Sequence, residues 1–331
     1  MSAERTLDGK TILVTGGAGF IGSHFVRSVL RRHERTQVID LDRLTYAGNL
    51  DNFEEARDDP RHEFVLGDIR DKALVRDLVA RVQGIVHFAA ETHVDRSIYD
   101  AGEFVLSNVH GTYTLLDALR AFPGIEFFVH VSSDEVYGNR PGRAARETDP
   151  LAPSSPYAAS KAAGDHLARA YHVTYGLPTI VLRPSNTYGP NQFPEKLIPR
   201  FLTNALEGRP LPVFGDGMNV REWLYVDDHC LAVEAAMLRG RSGAVYNVGS
   251  GIEKTNLDVA GRLLDAVEAS RELIQFVPDR PGHDRRYAMD SGLIRALGWE
   301  PRISFAEGLE RTVRWYAANR SWWRKVKTRP L

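Results

Sequence analysis

A glycine-rich turn near the start of the chain constrains the fold more than any other feature. The apolar run Thr11-Ile12-Leu13-Val14 leads into Gly16, Gly19 and Gly22, and a helical pattern starts at about residue 21. Glycines allow a tight turn and a close approach of backbone, while the start of a helix presents free N–H groups and a positive dipole end. A strand, a glycine turn and a helix in this order predict an α/β fold whose first turn binds the pyrophosphate of a dinucleotide.

The rest of the first half alternates short apolar runs with helix-length segments. Near-continuous apolar strands separated by helices are typical of a parallel sheet covered on both faces. The strand-like runs lie at residues 11–14, 37–39, 63–66, 84–88, 127–131 and 179–182, and the helical patterns at about 21–32, 72–81, 103–120 and 157–175.

The residue composition changes after Pro184, where prolines and glycines become frequent. A chain of 331 residues, at about 150 residues per domain, suggests two domains. We expect a Rossmann-type doubly wound parallel sheet in residues 1–183, to which a segment near 220–248 returns. A smaller C-terminal lobe, mainly residues 184–331, should bind substrate.

Charge and cysteine content exclude several classes of protein. The 42 Lys and Arg side chains nearly balance 43 Asp and Glu, so no global positive field exists to hold nucleic acid or an anionic membrane. The apolar runs are too short to span a bilayer. With one cysteine, Cys230, and no histidine cluster at ligand spacing, we expect no metal site. The polar segment Met1–Lys10 lacks a signal sequence, and together these features predict a cytoplasmic protein.

Acidic residues after the second and third strands bear on the choice of cofactor. Asp42 lies twenty residues after the last glycine of the turn, where a carboxylate accepts hydrogen bonds from the adenosine ribose and repels the extra phosphate of NADP. We therefore expect NAD. Asp40 is an alternative for this role, and Arg43 offers a phosphate partner. Asp68 and Ile69 could contact the adenine, or Asp68 could only cap the next helix.

A tyrosine and a lysine four residues apart form a candidate proton-transfer device. Tyr157 and Lys161 follow Ser155, a suitable N-cap, and Pro156, suited to the first helical position. Residues at i and i+4 share a helix face, and an adjacent cation stabilises phenolate and lowers the pKa of a phenol from its usual value near 10. Ser133, 24 residues upstream, offers a supporting hydroxyl.

Two adjacent acids, Asp134 and Glu135, follow the fifth strand-like run. In α/β proteins the carboxyl ends of parallel strands carry the chemistry. Neighbouring acids on a loop are commonly solvated charges, but these lie between an apolar strand and Val136-Tyr137-Gly138. At a break between strand and loop both carboxyls can reach a ligand, which favours a pair acting as acid and base.

These motifs together resemble the extended short-chain dehydrogenase/reductase superfamily, and within it the dTDP-glucose 4,6-dehydratases along essentially the whole chain. The likeness includes residues 44–50 (LTYAGNL), 87–97 (HFAAETHVDRS), 133–138 (SDEVYG), 192–199 (QFPEKLIP) and 279–284 (DRPGHD). The resemblance implies a tightly bound NAD that is regenerated in each turnover. Its contacts would be Gly16, Gly19, Phe20, Ile21, Gly22, Asp42, Arg43, Thr45, Asp68, Ile69, Ala89, Ala90, Tyr157 and Lys161.

The resemblance also implies a mechanism. Tyr157 takes the proton of the glucose C4 hydroxyl while hydride passes to NAD, with Lys161 and Ser133 in support. Glu135 then removes the C5 proton and Asp134 protonates the leaving C6 hydroxyl. Hydride finally returns to C6 and a proton to C5. Asp134 must be protonated to act, so we expect burial and its acidic neighbour to raise its pKa.

The substrate implied by the resemblance is dTDP-glucose, whose diphosphate needs local cations. Pro212 and Phe214 could equally belong to a turn at the edge of the core and not contact substrate. Tyr287 could equally be an aromatic side chain of the core. Ser133, Thr187 and Thr92 stand where the family commonly has threonine, asparagine and serine. The implied substrate contacts are Thr92, His93, Ser133, Asn186, Lys196, Leu197, Pro212, Phe214, Arg221, Asn256, Arg280, His283 and Tyr287.

The family likeness further implies a homodimer whose helices, at about 103–120 and 157–175, form a four-helix bundle. Other NAD-dependent nucleotide-sugar enzymes, a 4-epimerase or a decarboxylase, remain alternatives, as does a non-catalytic NAD-sensing protein. Asp134 and Glu135 argue against an epimerase, which needs no acid/base pair for C5 and C6. The presence of both Tyr157 and Lys161 argues against a sensor.

Overall fold

The computed structural model describes residues 5–54 and 56–328. The ends of the two predicted domains, residues 1–4 and 329–331, lie outside the described residues. The strands are β1 (Thr11–Thr15), β2 (Gln37–Asp42), β3 (His62–Leu66), β4 (Gly84–His87), β5 (Phe127–Val131), β6 (Thr179–Pro184), β7 (Asn186–Tyr188), β8 (Leu211–Phe214), β9 (Val220–Tyr225), β10 (Val245–Val248), β11 (Glu253–Thr255) and β12 (Ile274–Val277).

The α-helices are α1 (Phe20–Arg32), α2 (Lys72–Val79), α3 (Val94–Tyr99), α4 (Gly102–Phe104), α5 (Thr112–Leu119), α6 (Pro156–Tyr175), α7 (Leu197–Ala205), α8 (Val226–Arg239), α9 (Asn256–Ala266), α10 (Gly292–Arg295), α11 (Phe305–Ala318) and α12 (Arg320–Lys327). A π-helical stretch, Val105–Gly111, joins α4 to α5, and 3₁₀ turns occur at Leu50–Phe53, Asp134–Tyr137 and Arg271–Leu273.

Seven parallel strands form the central sheet in the order β10-β6-β5-β4-β1-β2-β3. The direction of strand addition reverses beside β1, whose neighbours are β2 and β4. Such a switch point opens a crevice at the carboxyl ends of the strands, where α/β proteins bind ligands. The predicted Rossmann-type doubly wound sheet is confirmed.

Two smaller sheets lie in the second half of the chain. One has the order β11-β9-β7 and the other pairs β12 with β8. Strand β10 returns to the central sheet beside β6, with Tyr246 opposite Leu182, whereas β9 lies in the three-stranded sheet. The chain therefore crosses back to the large sheet after building part of the small ones.

Alternate residues of β1 face the two sides of the sheet, as the two-residue period of a strand requires. Leu13 packs in a buried cluster with Leu116 of α5, whereas Val14 belongs to a larger cluster with Phe25 of α1 and Val233 of α8. Helices on both faces bury the strands and leave the strand ends to form the site. Each helix within the described ranges is too short or too polar to traverse a bilayer.

Candidate active site

A cavity opens at the carboxyl ends of β1, β2, β4 and β5, and a second cavity continues it toward α7 and β8. The walls of both include Glu135, Asn186, Glu195 and Lys196. These shared residues join the two cavities into one cleft at the switch point of the sheet. We call the first the inner cavity, which reaches the glycine turn, and the second the outer cavity.

Each of the three glycine positions in the turn has its own structural environment. Gly16 has φ of 74°, and a Cβ there would lie 2.6 Å from the backbone nitrogen of Ala89. A Cβ on Gly22 would lie 2.3 Å from the carbonyl oxygen of Gly16. Gly19 has only that oxygen nearby, at 3.2 Å from its Cβ position, and no side chain caps α1. The surface at Gly19 is therefore free to accept a pyrophosphate against the helix start.

Of the two candidate ribose acids, only Asp42 lines the inner cavity. Its carboxylate accepts hydrogen bonds from the N–H groups of Ala18, at 3.1 Å, and Leu44, at 2.8 Å. Asp40 is fully buried beneath the turn and accepts the N–H of Gly17 at 2.9 Å. Asp42 faces the cavity, while Asp40 braces the glycine turn from below.

Arg43 is surrounded by carboxylates. Its guanidinium lies 3.1 Å from Asp68, 3.3 Å from Glu91 and 3.2 Å from Glu103. These acids already neutralise the guanidinium, which makes it a poor partner for the extra phosphate of NADP. Asp68 does not cap α2, because Asp71 caps that helix.

The two adjacent acids occupy a 3₁₀ turn directly after β5. Ser133 caps this turn by accepting the N–H of Glu135 at 3.2 Å, and its hydroxyl donates to Asp134 Oδ1 at 3.2 Å. Asp134 Oδ2 is buried and has no hydrogen-bond partner among the described residues. Glu135 faces both cavities. The turn thus places both carboxyls in the cleft.

The two carboxyls differ in their charged surroundings. Burial, then Glu135 and Glu222, raise the pKa of Asp134 well above its usual value, which confirms the expected direction and cause. Burial also raises the pKa of Glu135, but Arg280, Arg221 and Lys196 oppose this effect. The surrounding charges therefore favour a protonated Asp134 beside a more readily ionised Glu135.

Helix α6 begins as predicted, with Ser155 accepting the N–H of Ala158 and Pro156 in the first turn. Lys161 Nζ donates to the carbonyl of Val131 at 2.6 Å, and burial lowers the pKa of Lys161 to about 8.

The expected lowering of the Tyr157 pKa is wrong, because the pKa of this phenol is raised. Burial and Glu135 raise the pKa of this phenol, and a hydrogen bond with Ser133 opposes them only in part. Withdrawal from water disfavours phenolate more than the neighbouring groups favour it.

Four cationic side chains lie around the outer cavity: Lys196, Arg200, Arg221 and Arg280. Arg280 is held by Asp95 at 2.5 Å, and Arg221 donates to the carbonyl of Asp284 at 3.0 Å. A chain with balanced charges thus gathers positive charge locally, as an anionic ligand requires.

The cleft brings together nearly all of the predicted site residues. Every predicted catalytic and cofactor-binding residue lines the inner cavity, and so does Thr92. The outer cavity is lined by the other predicted substrate contacts except Ser133, which lines the inner cavity, and Tyr287. The ring of Tyr287 lies 4.3 Å from the Arg221 guanidinium, and its hydroxyl donates to Asp284 at 2.8 Å. Tyr287 therefore supports the cavity wall from behind.

Sequence reasoning missed several residues of the outer cavity, including Arg200 and Trp223. Arg200 follows Lys196 by four residues at the start of α7, and this i, i+4 spacing was a usable signal. Thr187, which replaces the asparagine common in the family, lies 2.9 Å from His229 Nδ1 through its hydroxyl. The described residues contain no group of three or more His, Cys, Asp or Glu suited to a metal ion.

Fold and site together define an NAD-linked enzyme of the short-chain dehydrogenase/reductase superfamily. Residues 13–312 match the family model described as GDP-mannose 4,6 dehydratase. A dTDP-glucose 4,6-dehydratase of Actinoplanes sp. is 54% identical over 319 residues, covering 94% of this chain and 99% of that relative. The chain belongs to the GDP-mannose 4,6 dehydratase family and, within it, to the dTDP-glucose 4,6-dehydratases.

Two solved structures extend the comparison. The dTDP-glucose 4,6-dehydratase DesIV from Streptomyces venezuelae, solved with NAD bound, is 52% identical with a TM-score of 0.93, covering 96% of this chain and 99% of its own. A UDP-glucose 4-epimerase of Thermus thermophilus has the same fold at 35% identity and a TM-score of 0.86, over 93% and 99% of the two chains. Sequence identity is thus higher to the dehydratase than to this epimerase.

Proposed function

We propose that this chain catalyses the NAD-dependent dehydration of dTDP-glucose to dTDP-4-keto-6-deoxyglucose, a step of deoxysugar biosynthesis. The observation that carries the proposal is the buried pair Asp134 and Glu135 in the cavity that also contains Tyr157 and Lys161. Oxidation at C4 needs only the tyrosine and the cofactor, whereas loss of water across C5 and C6 needs an acid and a base as well.

The residues of the inner cavity fit NAD. The open surface at Gly19 would hold the pyrophosphate, Asp42 the adenosine ribose, and Asp68 with Ile69 the adenine. NAD held by these residues would supply the redox chemistry, as acceptor of the C4 hydride and then as its donor to C6 while a proton returns to C5. Thr45, Ala89 and Ala90 complete the proposed contacts.

In the proposed first step Tyr157 takes the proton of the C4 hydroxyl. Burial and Glu135 disfavour its phenolate, so groups of the chain must counter them. Ser133 does so through its hydrogen bond. Lys161, four residues further along the same helix face, contributes a positive charge below a pH of about 8.

In the proposed second step Glu135 removes the C5 proton, which the new C4 carbonyl acidifies, and Asp134 protonates the C6 hydroxyl as it leaves as water. The charges around each carboxyl support this division of roles. Three cations, Arg280, Arg221 and Lys196, favour an ionised Glu135. Two acidic neighbours, Glu135 and Glu222, disfavour an ionised Asp134. Environments that favour different protonation states identify the acid and the base.

The outer cavity is proposed to bind the nucleotide and diphosphate through its four cations. In this division residues 1–183, with the segment near 220–248, bind mainly NAD, and the rest of residues 184–331 bind mainly the sugar nucleotide. Cys230 as the sole cysteine supports a reducing, cytoplasmic location.

We also propose a homodimer through a four-helix bundle built from the helices at 103–120 and 157–175. The support is a set of exposed apolar side chains on these helices: Val105, Leu106, Val173 and Tyr175. Exposed apolar surface of this kind is typical of protein interfaces. Sedimentation at micromolar concentration tests it: charged substitutions at Leu106 and Val173 should give monomers, whereas a wild-type monomer would exclude the dimer.

The experiment that tests the function is incubation of purified protein with dTDP-glucose, followed by mass spectrometry. Loss of one water per sugar without net consumption of added NAD supports the proposal. An unchanged mass with inverted C4 would indicate a 4-epimerase, an alternative that the shared fold keeps open. No change at all would indicate a non-catalytic NAD-binding protein.

A further inference from the structure

Two loops contribute much of the wall of the inner cavity. The first wall loop, residues 43–48, follows β2, and the second wall loop, residues 191–196, precedes α7. Most residues of both loops line the cavity. The loops meet where the hydroxyl of Tyr46 donates to Glu195 at 2.9 Å and its ring lies 5.2 Å from that of Phe193. A cofactor in this cavity is therefore bounded by two loops that contact each other.

The buried side chain of Asn52 joins the same loops at a second point. Asn52 lies in the 3₁₀ turn Leu50–Phe53, shortly after the first wall loop, and is 1% exposed. Its Nδ2 donates to the carbonyl of Ala18 in the glycine turn at 3.0 Å. Its Oδ1 accepts a hydrogen bond from Nδ2 of Asn191 in the second wall loop at 3.4 Å. One amide thus connects the glycine turn to both wall loops.

Ala18 is held through both of its backbone polar groups. Its N–H donates to Asp42 Oδ2 at 3.1 Å. Its carbonyl accepts the backbone N–H of Asn49 at 2.9 Å as well as the amide of Asn52. Gly19, which would hold the pyrophosphate, is the next residue of the chain. Loss of the bond from Asn52 removes one of two donors to this carbonyl and so weakens the hold on the turn beside the pyrophosphate position.

The two C-terminal helices contact this arrangement from outside the cavity. Trp322 of α12 donates its indole N–H to Asn52 Oδ1 at 3.2 Å. Tyr316 of α11 is fully buried and donates its hydroxyl to the carbonyl of Gln192 in the second wall loop. The rings of Trp315 and Trp322 pack edge to face, with centroids 5.0 Å apart. The described end of the chain thus supports both wall loops, although none of its residues lines the inner cavity.

We propose that Asn52 and Trp322 are positioning residues for the cofactor, because their hydrogen bonds hold the glycine turn and the two wall loops together around NAD and slow its release. Asn52 acts through Ala18, and Trp322 acts through Asn52. A cofactor that is regenerated in each turnover does not need to leave, so slow release favours the reaction. That benefit rests on the proposed function, whereas the rate of NAD release depends on the folded chain alone.

The primary test measures how fast full-length protein exchanges its bound NAD for radiolabelled NAD supplied in excess. Trp322→Phe keeps a ring against Trp315 but has no indole N–H, so its exchange should be about fivefold faster than that of the wild type. Asn52→Ala also removes the bonds to Ala18 and Asn191 and should exchange about tenfold faster or more. Should Asn52→Ala not fold, the half-buried Trp322 still provides the test. A wild-type exchange rate in folded Trp322→Phe overturns the proposal.

Trp299→Phe is the matched control for a general loss of stability. Trp299 is buried, and its indole N–H donates to the carbonyl of Asp228 at 2.9 Å, away from both wall loops in the chain. The control should lower the melting temperature at least as much as Trp322→Phe does, yet exchange NAD at the wild-type rate. If Trp299→Phe exchanges NAD as fast as Trp322→Phe, lost stability accounts for the effect and the proposal is overturned.

The double variant Asn52→Ala with Trp322→Phe tests whether the two residues act in one path. Because Trp322 acts through Asn52, the double variant should exchange NAD no faster than Asn52→Ala alone. Effects that multiply would show an independent action of Trp322 and contradict the proposed path. The exchange measurements need no sugar. A wild type that retains NAD but does not dehydrate dTDP-glucose would therefore refute the proposed function, while the exchange rates still decide this inference.

Discussion

The Cβ position of Gly22 lies 2.3 Å from the carbonyl oxygen of Gly16. The equivalent position on Gly19 lies 3.2 Å from the same oxygen, and Gly19 has an ordinary φ of −74°. The same substitution at the two glycines therefore separates folding from cofactor binding.

Gly19→Ala should fold with a melting temperature close to that of the wild type but lose most of its NAD. Its methyl group occupies the surface proposed for the pyrophosphate. Gly22→Ala should be destabilised by about 2 kcal/mol or more, because backbone must move to relieve the contact. Thermal unfolding and the NAD content of purified protein distinguish the two, and an NAD-replete Gly19→Ala would contradict the proposed pyrophosphate position.

Substitutions in the catalytic set should stop the reaction at different stages. Glu135→Gln should form bound NADH from dTDP-glucose and then stall, because the C5 proton has no base to receive it. Tyr157→Phe should form no NADH, because the first proton transfer is lost. We expect elimination to slow by about 10²–10⁴-fold in Glu135→Gln. Stopped-flow absorbance follows NADH, and normal water loss in Glu135→Gln would assign the base elsewhere.

Asp134→Asn should abolish elimination yet stabilise the folded chain. In the folded state Asp134 keeps its proton to a higher pH than the unfolded carboxyl, whose pKa is about 3.9. The folded state therefore binds more protons, and its stability falls as the pH rises above that value until the folded group itself ionises. Asparagine removes this penalty, so its advantage should grow with pH above about 3.9 and reach about 1–2 kcal/mol.

Thermal unfolding across this pH range checks the prediction. Asp149→Asn is a matched control, because that carboxyl is paired with Arg143 at 2.7 Å and the pair lowers its pKa to about 2. The control should show no gain. An Asp134→Asn variant less stable than the wild type at every pH would contradict the prediction.

Arg200 should contribute to binding of the nucleotide diphosphate although it belongs to no recognised motif. Arg200→Ala should weaken dTDP binding about tenfold, corresponding to about 1.4 kcal/mol, and leave NAD content unchanged. Arg209→Ala, an exposed arginine beside Glu207, should bind dTDP normally. Calorimetric titration measures both, and equal affinities would remove Arg200 from the site.

Local sequence signals predicted the elements of the fold because each depends on near neighbours in the chain. The glycine turn before α1, the cap at Ser155 and Pro156 before α6, and the apolar strands are signals of this kind. The placement of Asp134 and Glu135 at the end of β5 followed from the same reasoning. Even the raised pKa of Asp134 could be predicted, because an acidic neighbour is visible in sequence and burial follows from the strand.

Charge balance in the cleft could not be predicted in this way. Arg43 has carboxylate partners 25, 48 and 60 residues away. A buried ion pair between Asp165 and Arg183, at 2.8 Å, joins helix α6 to strand β6. Burial changes the pKa of Tyr157 more than any neighbouring group does, and the extent of burial is a property of the packed chain.

The amino-acid sequence by itself determined the order of strands and helices, the dinucleotide turn and the identity of the reacting groups, since these depend on residue type and short spacing. The tertiary structure alone decided which glycine leaves room for a ligand and which cations surround Glu135. The physical reason is that desolvation and Coulomb energies depend on distances between groups far apart in the chain.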